Sequence, residues 1–302
     1  MNRFKCIFLF ALLFASCTNE KENSLDNLIQ TYQDHKGYDA KEYPLGLFTR
    51  EYYKGEFEFS DSLLVQLKLI NKDLLNASDK ISLELLMFVL QDEVDYYKFE
   101  RFLNPLLSDS GFHSSLNYNV RPFNNYKQVK KYLQKLNAIP LFVDQHFVNL
   151  REGLEKGVSQ PRVIFKGYES SYNSHIVKNY EDSFFYSPFK KLPESLTAEQ
   201  RDSVLKVAKV AIEKNVTPQF KRIKTFFETE YLPKTRTTLG VSDTPNGAAY
   251  YQNRINFYTT STQYTADDIH QIGLKEVDRI KAEMQKIIKD LGGIHKYINW
   301  DK

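Results

Sequence analysis

The chain has 302 residues, of which 26% are charged and 42% apolar, and its net charge is +3. Such a composition belongs to a globular protein of one large or two small domains. Near-neutral charge, with no basic stripe interleaved with aromatics, argues against a nucleic-acid partner.

The first element is a leader. "MNRFKCIFLFALLFASC" opens with Arg3 and Lys5, runs apolar over 7–14 and ends in small residues before Cys17. That run is too short to span a bilayer and suits the core of a signal peptide over 1–16. "FASC" is similar to a bacterial lipobox, which makes Cys17 the expected lipidation site and membrane anchor. The expected location is the bacterial cell envelope. Loss of Arg3 and Lys5 leaves a charge of +3 − 2 = +1. Cys6 departs with the leader and Cys17 carries lipid, so no disulfide is expected. Residues 17–24 read as a polar tether and 25–302 as one helical domain.

Apolar spacing predicts helices over 61–75, 79–103, 126–136, 139–157, 196–216, 219–232 and 265–284. The centre of the second, 83–90, is almost wholly apolar and is expected to be buried. Pro140 is expected at the start of the fourth and Gly157 just past its end. In the fifth, Thr197 and Gln200 form a capping box, and Pro218 is expected to break or kink the helix.

Residues 233–262 lack a helical period. "TPNG" is turn chemistry, and "YYQNRINFYTT" is rich in the β-branched and aromatic residues of strands. The fold class expected is therefore mainly α, with a short strand or hairpin near 233–262.

The last helix, "TADDIHQIGLKEVDRIKAEM", carries acids beside His270. Thr265 and Asp268 form a capping box, the early acids suit the helix dipole, and Glu276–Arg279 pair across one turn. From His270, the positions three and four onward are Gly273 and Leu274, so a helical metal site is not expected. The other histidines are scattered, and no His is followed by Glu. No nucleophile motif, P-loop or dinucleotide fingerprint occurs. No catalytic residue and no metal ligand is assigned.

Three blocks together resemble a known family. They are "IPLFVDQHFVNLREGLEKGVSQPRVIF", "TPNGAAYYQNRINFYTTST" and "TADDIHQIGLKEVDRIKAEM". Their motifs include Arg151-Glu152-Gly153, Pro245-Asn246-Gly247 and Ile269-His270. They are similar to the DUF885 family, secreted or lipid-anchored bacterial proteins placed among zincin-like metallopeptidases. The resemblance implies a large helical fold about twice this length, with zinc on an HExxH-type helix in the second half. This chain stops after "GGIHKYINWDK" and holds no such motif. It is expected to be the N-terminal half, to carry no cofactor and to be inactive alone, with a C-terminal half as a missing partner. In such a protein an edge strand binds extended peptide, so Tyr250, Tyr251 and Arg254 are the candidate substrate cleft. The alternative is a non-catalytic module that binds peptide or another envelope component.

Overall fold

The computed structural model describes residues 24–106 and 110–291, so the leader, Cys17 and most of the tether lie outside the described residues. In chain order the helices are α1 (Leu25–Asp34), α2 (Arg50–Lys68), α3 (Ala77–Lys98), α4 (Phe112–Ser115), α5 (Tyr126–Glu155), α6 (Ser170–Asn173), α7 (Ala198–Ala211), α8 (Thr217–Thr225), α9 (Leu232–Lys234), α10 (Gly247–Thr259) and α11 (Ala266–Asp290). Short 3-10 turns fill several connections, and two π-helical turns, Ile212–Val216 and Phe226–Tyr231, flank α8. Among the described residues extended pairing is confined to two isolated bridges, Leu106 with Gly111 and Pro161 with Arg236. The chain divides into two compact units, Met1–Leu239 and Gly240–Lys302.

Local chemistry explains where the long helices begin. Ser24, Thr49, Asn76, Asn125, Thr197 and Thr265 each accept a backbone N–H from the residue three onward. That satisfies a donor the first turn would otherwise leave without a partner. Thr197 with Gln200 and Thr265 with Asp268 complete reciprocal capping boxes, as the sequence predicts.

The first unit holds two apolar cores. The smaller joins α1, α2 and α3 through Leu28, Leu63, Leu67, Leu83 and Leu90. The larger surrounds α5, whose Val129, Leu136, Val143 and Leu150 meet Val204, Ala208, Ile212, Phe220 and Phe227. The expectation for 83–90 needs correcting. Leu83, Leu86 and Leu90 are buried, but Leu85 is 60% exposed, because α3 presents only one face to α2.

Two predicted helices are one. Residues 126–155 form a single helix with Pro140 in its interior, not at a start. The lost hydrogen bond and ring clash cost about 3 kcal/mol in an isolated helix. Here Leu136, Ile139, Phe142 and Val143 are buried on both sides of the proline, and their packing holds the two halves in line.

Pro218 does not break the chain either. The π turn 212–216 comes immediately before Thr217-Pro218, and the N–H of Thr217 donates to Ile212 O, five residues back. The second π turn ends before Leu232-Pro233, with Leu232 N–H donating to Phe227 O. A widened turn ahead of each proline is one way a helix passes it without stopping.

The strand or hairpin near 233–262 is overturned. "YYQNRINFYT" lies in α10, and Thr260 after it is the left-handed residue that caps the helix. The turn at "TPNG" does form, with Asn246 left-handed at φ 56°. Gly247 is required next, since a Cβ there would lie 1.8 Å from Val241 O. The aromatic composition that suggested a strand is used instead at helical spacing. Arg254 lies over the rings of Tyr250 and Phe257, and Gln252 Nε2 donates to Asn256 Oδ1 at 2.9 Å.

Candidate functional site

A concavity of the first unit lies where α5 faces α8 and the second π turn. It is a cavity of about 300 Å³ lined by Phe147, Arg151, Lys221, Arg222, Thr225, Phe226 and Glu230. Its floor is the stacked pair Phe147 and Phe226, with centroids 4.2 Å apart and planes 20° from parallel. Arg151 lies 5.6 Å and 5.2 Å from these two ring centres, and Arg222 lies 5.6 Å from Phe147. The site thus has an apolar base and a wall of three cations and one carboxylate, Glu230.

Two carboxylates hold the wall in place. Arg151 donates from Nε and Nη2 to the two oxygens of Glu230 at 2.8 and 2.9 Å. This pairing raises the Arg151 pKa and lowers that of Glu230. Arg222 donates to Asp144 Oδ1 at 2.7 Å and to Gln219 Oε1 at 2.6 Å. Lys221 is exposed beside them. Guanidinium groups stay protonated and are poor bases, so the arrangement suits anion recognition and not proton abstraction. The π turn brings Phe226 and Glu230 to this site, a common use of such turns. Sequence reading passed over the site, although Arg151 and Glu152 lie in one of the motifs carrying the resemblance.

The predicted cleft residues lie on α10, in the second unit. Arg254 sits 5.9 Å from the Tyr250 ring, and Tyr251, one residue on, is 48% exposed. Tyr250 and Arg254 therefore share a face, whereas Tyr251 turns away from it. Because the segment is helical, its backbone cannot take up a peptide by strand addition.

Three histidines scattered in sequence, His113, His146 and His175, are buried in the first unit. His146 on α5 lies between the rings of Phe48, Phe112 and Phe142, at 4.4, 4.7 and 4.5 Å. Neither of its ring nitrogens has a hydrogen-bond partner among the described residues. His113 Nε2 lies 2.8 Å from Ser171 Oγ. The Ser171 proton goes to Tyr168 O at 2.6 Å, so His113 is the donor and Ser171 is no activated nucleophile. Burial pushes His113 and His146 down to about 3, and each pair of neighbouring imidazoles adds to the effect. His270 is exposed on α11. Among the described residues no three His, Cys, Asp or Glu side chains come together in a group able to hold a metal. No described helix is long and apolar enough to cross a membrane.

Among curated proteins none matches the chain. The fold is similar to the crystal structure of the "putative lipoprotein from Colwellia psychrerythraea", with a TM-score of 0.63 at 18% identity. That likeness covers 81% of this chain and 44% of the other, so the chain spans less than half the length of this neighbour. The family comparison matches residues 31–300, almost the whole helical domain. The chain therefore belongs to DUF885, a family of bacterial proteins of unknown function.

Proposed function

We propose that this protein is an envelope lipoprotein, lipidated at Cys17, that forms the N-terminal part of a zinc-peptidase architecture and binds peptide without cleaving it alone. Family membership and the lipoprotein neighbour of greater length support the placement. The observation that carries the binding reading is the cavity beside Lys221. Two guanidinium groups, each paired with one carboxylate, and the Lys221 ammonium stand over a stacked phenylalanine floor. A carboxylate next to an apolar side chain, as at the C-terminus of a peptide, matches that chemistry. Zinc and its ligands would be supplied by sequence beyond the residues of this chain.

The test is calorimetric titration of the purified chain with a short peptide ending in an apolar residue, as the free acid and as the amide. The acid should bind at least about tenfold more tightly, and Lys221→Ala with Arg222→Ala should remove the difference. Equal binding of acid and amide sinks the carboxylate reading. Peptide hydrolysis by the isolated chain sinks the claim that it is inactive alone, and tight one-to-one zinc in metal analysis sinks the claim that the zinc ligands lie outside it.

A second reading keeps Tyr250, Tyr251 and Arg254 as side-chain contacts for peptide on α10. The exposure of Tyr251 and of Tyr258, the latter 79% exposed, favours it. A photo-crosslinking peptide mapped to α10 rather than to α5 and α8 would decide for it.

A further inference from the structure

The end of the α2–α3 hairpin carries apolar side chains that the fold does not use. Leu69 is 74% exposed and Leu74 82%, while their neighbours Ile70 and Leu75 pack on the smaller core. Asn71 and Asn76 cap the 3-10 turn Lys72–Leu74 and α3, so the connection is closed without the two leucines. On α2, exposed Val65 lies on the side turned away from Leu63 and Leu67. On α3, Ile81 and Leu85 lie on the side turned away from Leu83 and Leu86, and Ile81 is 67% exposed. The hairpin end is thus apolar on both outer sides.

The chain's own N-terminus leaves from this end. Tyr32 donates to Glu93 Oε1 at 2.9 Å, Ser60 donates to Glu93 Oε2 at 2.7 Å, and His35 stacks on Phe59 at 3.6 Å. These contacts place the last turn of α1 at the level of Ser60 and Glu93. Leu25 and Leu28, in its first turn, join the same core as Leu63, Leu67, Leu83 and Leu86, nearer the tip. Followed back to Ser24, α1 therefore runs towards the tip. Residues 17 and 24 are 24 − 17 = 7 positions apart. Such a segment spans at most about 25 Å when extended. A lipid on Cys17 thus brings a bilayer to this end of the hairpin through a covalent connection.

Shape and charge agree with that occupant. Helices rise 1.5 Å per residue, which sets Val65 about 6 Å back from Leu69 and Ile81 about 6 Å into α3. That matches the roughly 5–10 Å to which interfacial apolar groups sink. Over 65–85, Lys68, Lys72 and Lys80 balance Asp73, Asp79 and Glu84, so the contact is apolar and not a response to anionic lipid. The lysine stems are long enough to return their charge to the headgroups. A bilayer closes around a wedge on all sides, whereas further sequence of this protein would have to wrap both sides of the tip.

We infer that the α2–α3 tip is a membrane-contact surface, which dips into the bilayer that anchors the chain and so orients the first unit on it. The inference rests on the lipoprotein reading for the presence of that bilayer and on nothing in the peptide cavity.

The chain from residue 18 onward contains no cysteine, so Leu74→Cys gives a single site for an environment-sensitive nitrobenzoxadiazole label. An N-terminal histidine tag holds this chain on phosphatidylcholine vesicles bearing a little nickel-chelating lipid, so the bilayer is reached without any lipid on Cys17. Phosphatidylcholine with doxyl-labelled acyl chains should quench the label at position 74 about twofold or more and leave a label at Val210→Cys, on α7, unchanged. Leu69→Glu with Ile81→Glu should abolish the quenching while near-UV circular dichroism stays the same. Equal quenching at positions 74 and 210, or quenching that survives the double substitution, would overturn the inference. So would a label at position 74 that is shielded from water but not quenched by lipid, because protein would then cover the tip. The intact mass of the native protein tests the lipid on Cys17 separately, so the contact and the anchor can fail independently.

Discussion

His146 shows how far one side chain can depart from its aqueous chemistry. It occupies a cage of phenylalanine rings, neutral and without hydrogen-bond partners among the described residues, with His113 close enough to lower its pKa further. The pKa of both histidines falls to about 3 in the fold, against an ordinary value near 6.5. Between those values the unfolded chain binds protons that the folded chain refuses, so stability rises with pH through that window. It is fully present above about pH 6.5 and is lost as pH falls towards 3. Each histidine contributes up to about 1.4 kcal/mol per pH unit of this loss. Urea unfolding followed from pH 7 to pH 4 should show the slope. His146→Phe should change stability at pH 7 by less than about 1.5 kcal/mol and reduce the acid slope. An unchanged slope would mean that His146 is not the acid-labile group.

Gly153 argues the same way from a residue without a side chain. Helix propensity alone says that Gly153→Ala stabilises α5 by about 1 kcal/mol. A Cβ there would lie 2.6 Å from Leu103 O and 3.0 Å from Val158 O, both backbone atoms. The substitution is expected to destabilise by about 1–3 kcal/mol, read as a lower urea midpoint at unchanged m-value. Its place in the Arg151-Glu152-Gly153 motif thus has a packing reason, the close passage of two chain segments.

At the scale of elements, capping was legible and continuity was not. The boxes at Thr197 and Thr265 depend on residues three apart, so sequence reading found them. The single helix through Pro140 depends on burial of Leu136, Ile139, Phe142 and Val143 against other elements, which local spacing does not show. Pro140→Ala should restore the missing hydrogen bond and stabilise the protein by about 1–3 kcal/mol, after a smaller loss from a freer unfolded chain. A fall in the urea midpoint would show that the proline contributes more at this position than its missing hydrogen bond costs. α10 was misread for a related reason. Tyr, Ile, Phe and Thr describe a half-buried surface in a strand, but side-chain pairs at helical spacing, such as Arg254 on Tyr250, serve a helix equally well.

At the scale of the molecule, the first unit carries nearly all the buried apolar side chains, and Ile255 is the buried apolar residue of the second among those described. Truncation after Leu239 should therefore leave a unit that melts cooperatively with its near-UV signature intact. Loss of cooperativity on truncation would show that residues 240–302 are part of the same folding unit.

The sequence by itself determined the helical class, the membership, the capped starts and the apolar face of α11, because each depends on residues within a turn or two of one another. The tertiary structure decided that two predicted helices are one, that "YYQNRINFYT" is helical and that His113 and His146 share one core. It also set Arg151 and Glu230, 79 residues apart, beside Lys221. These outcomes depend on which distant faces meet. Burial can then override a proline, a strand-like composition or the ordinary charge of a histidine by more free energy than any local preference supplies.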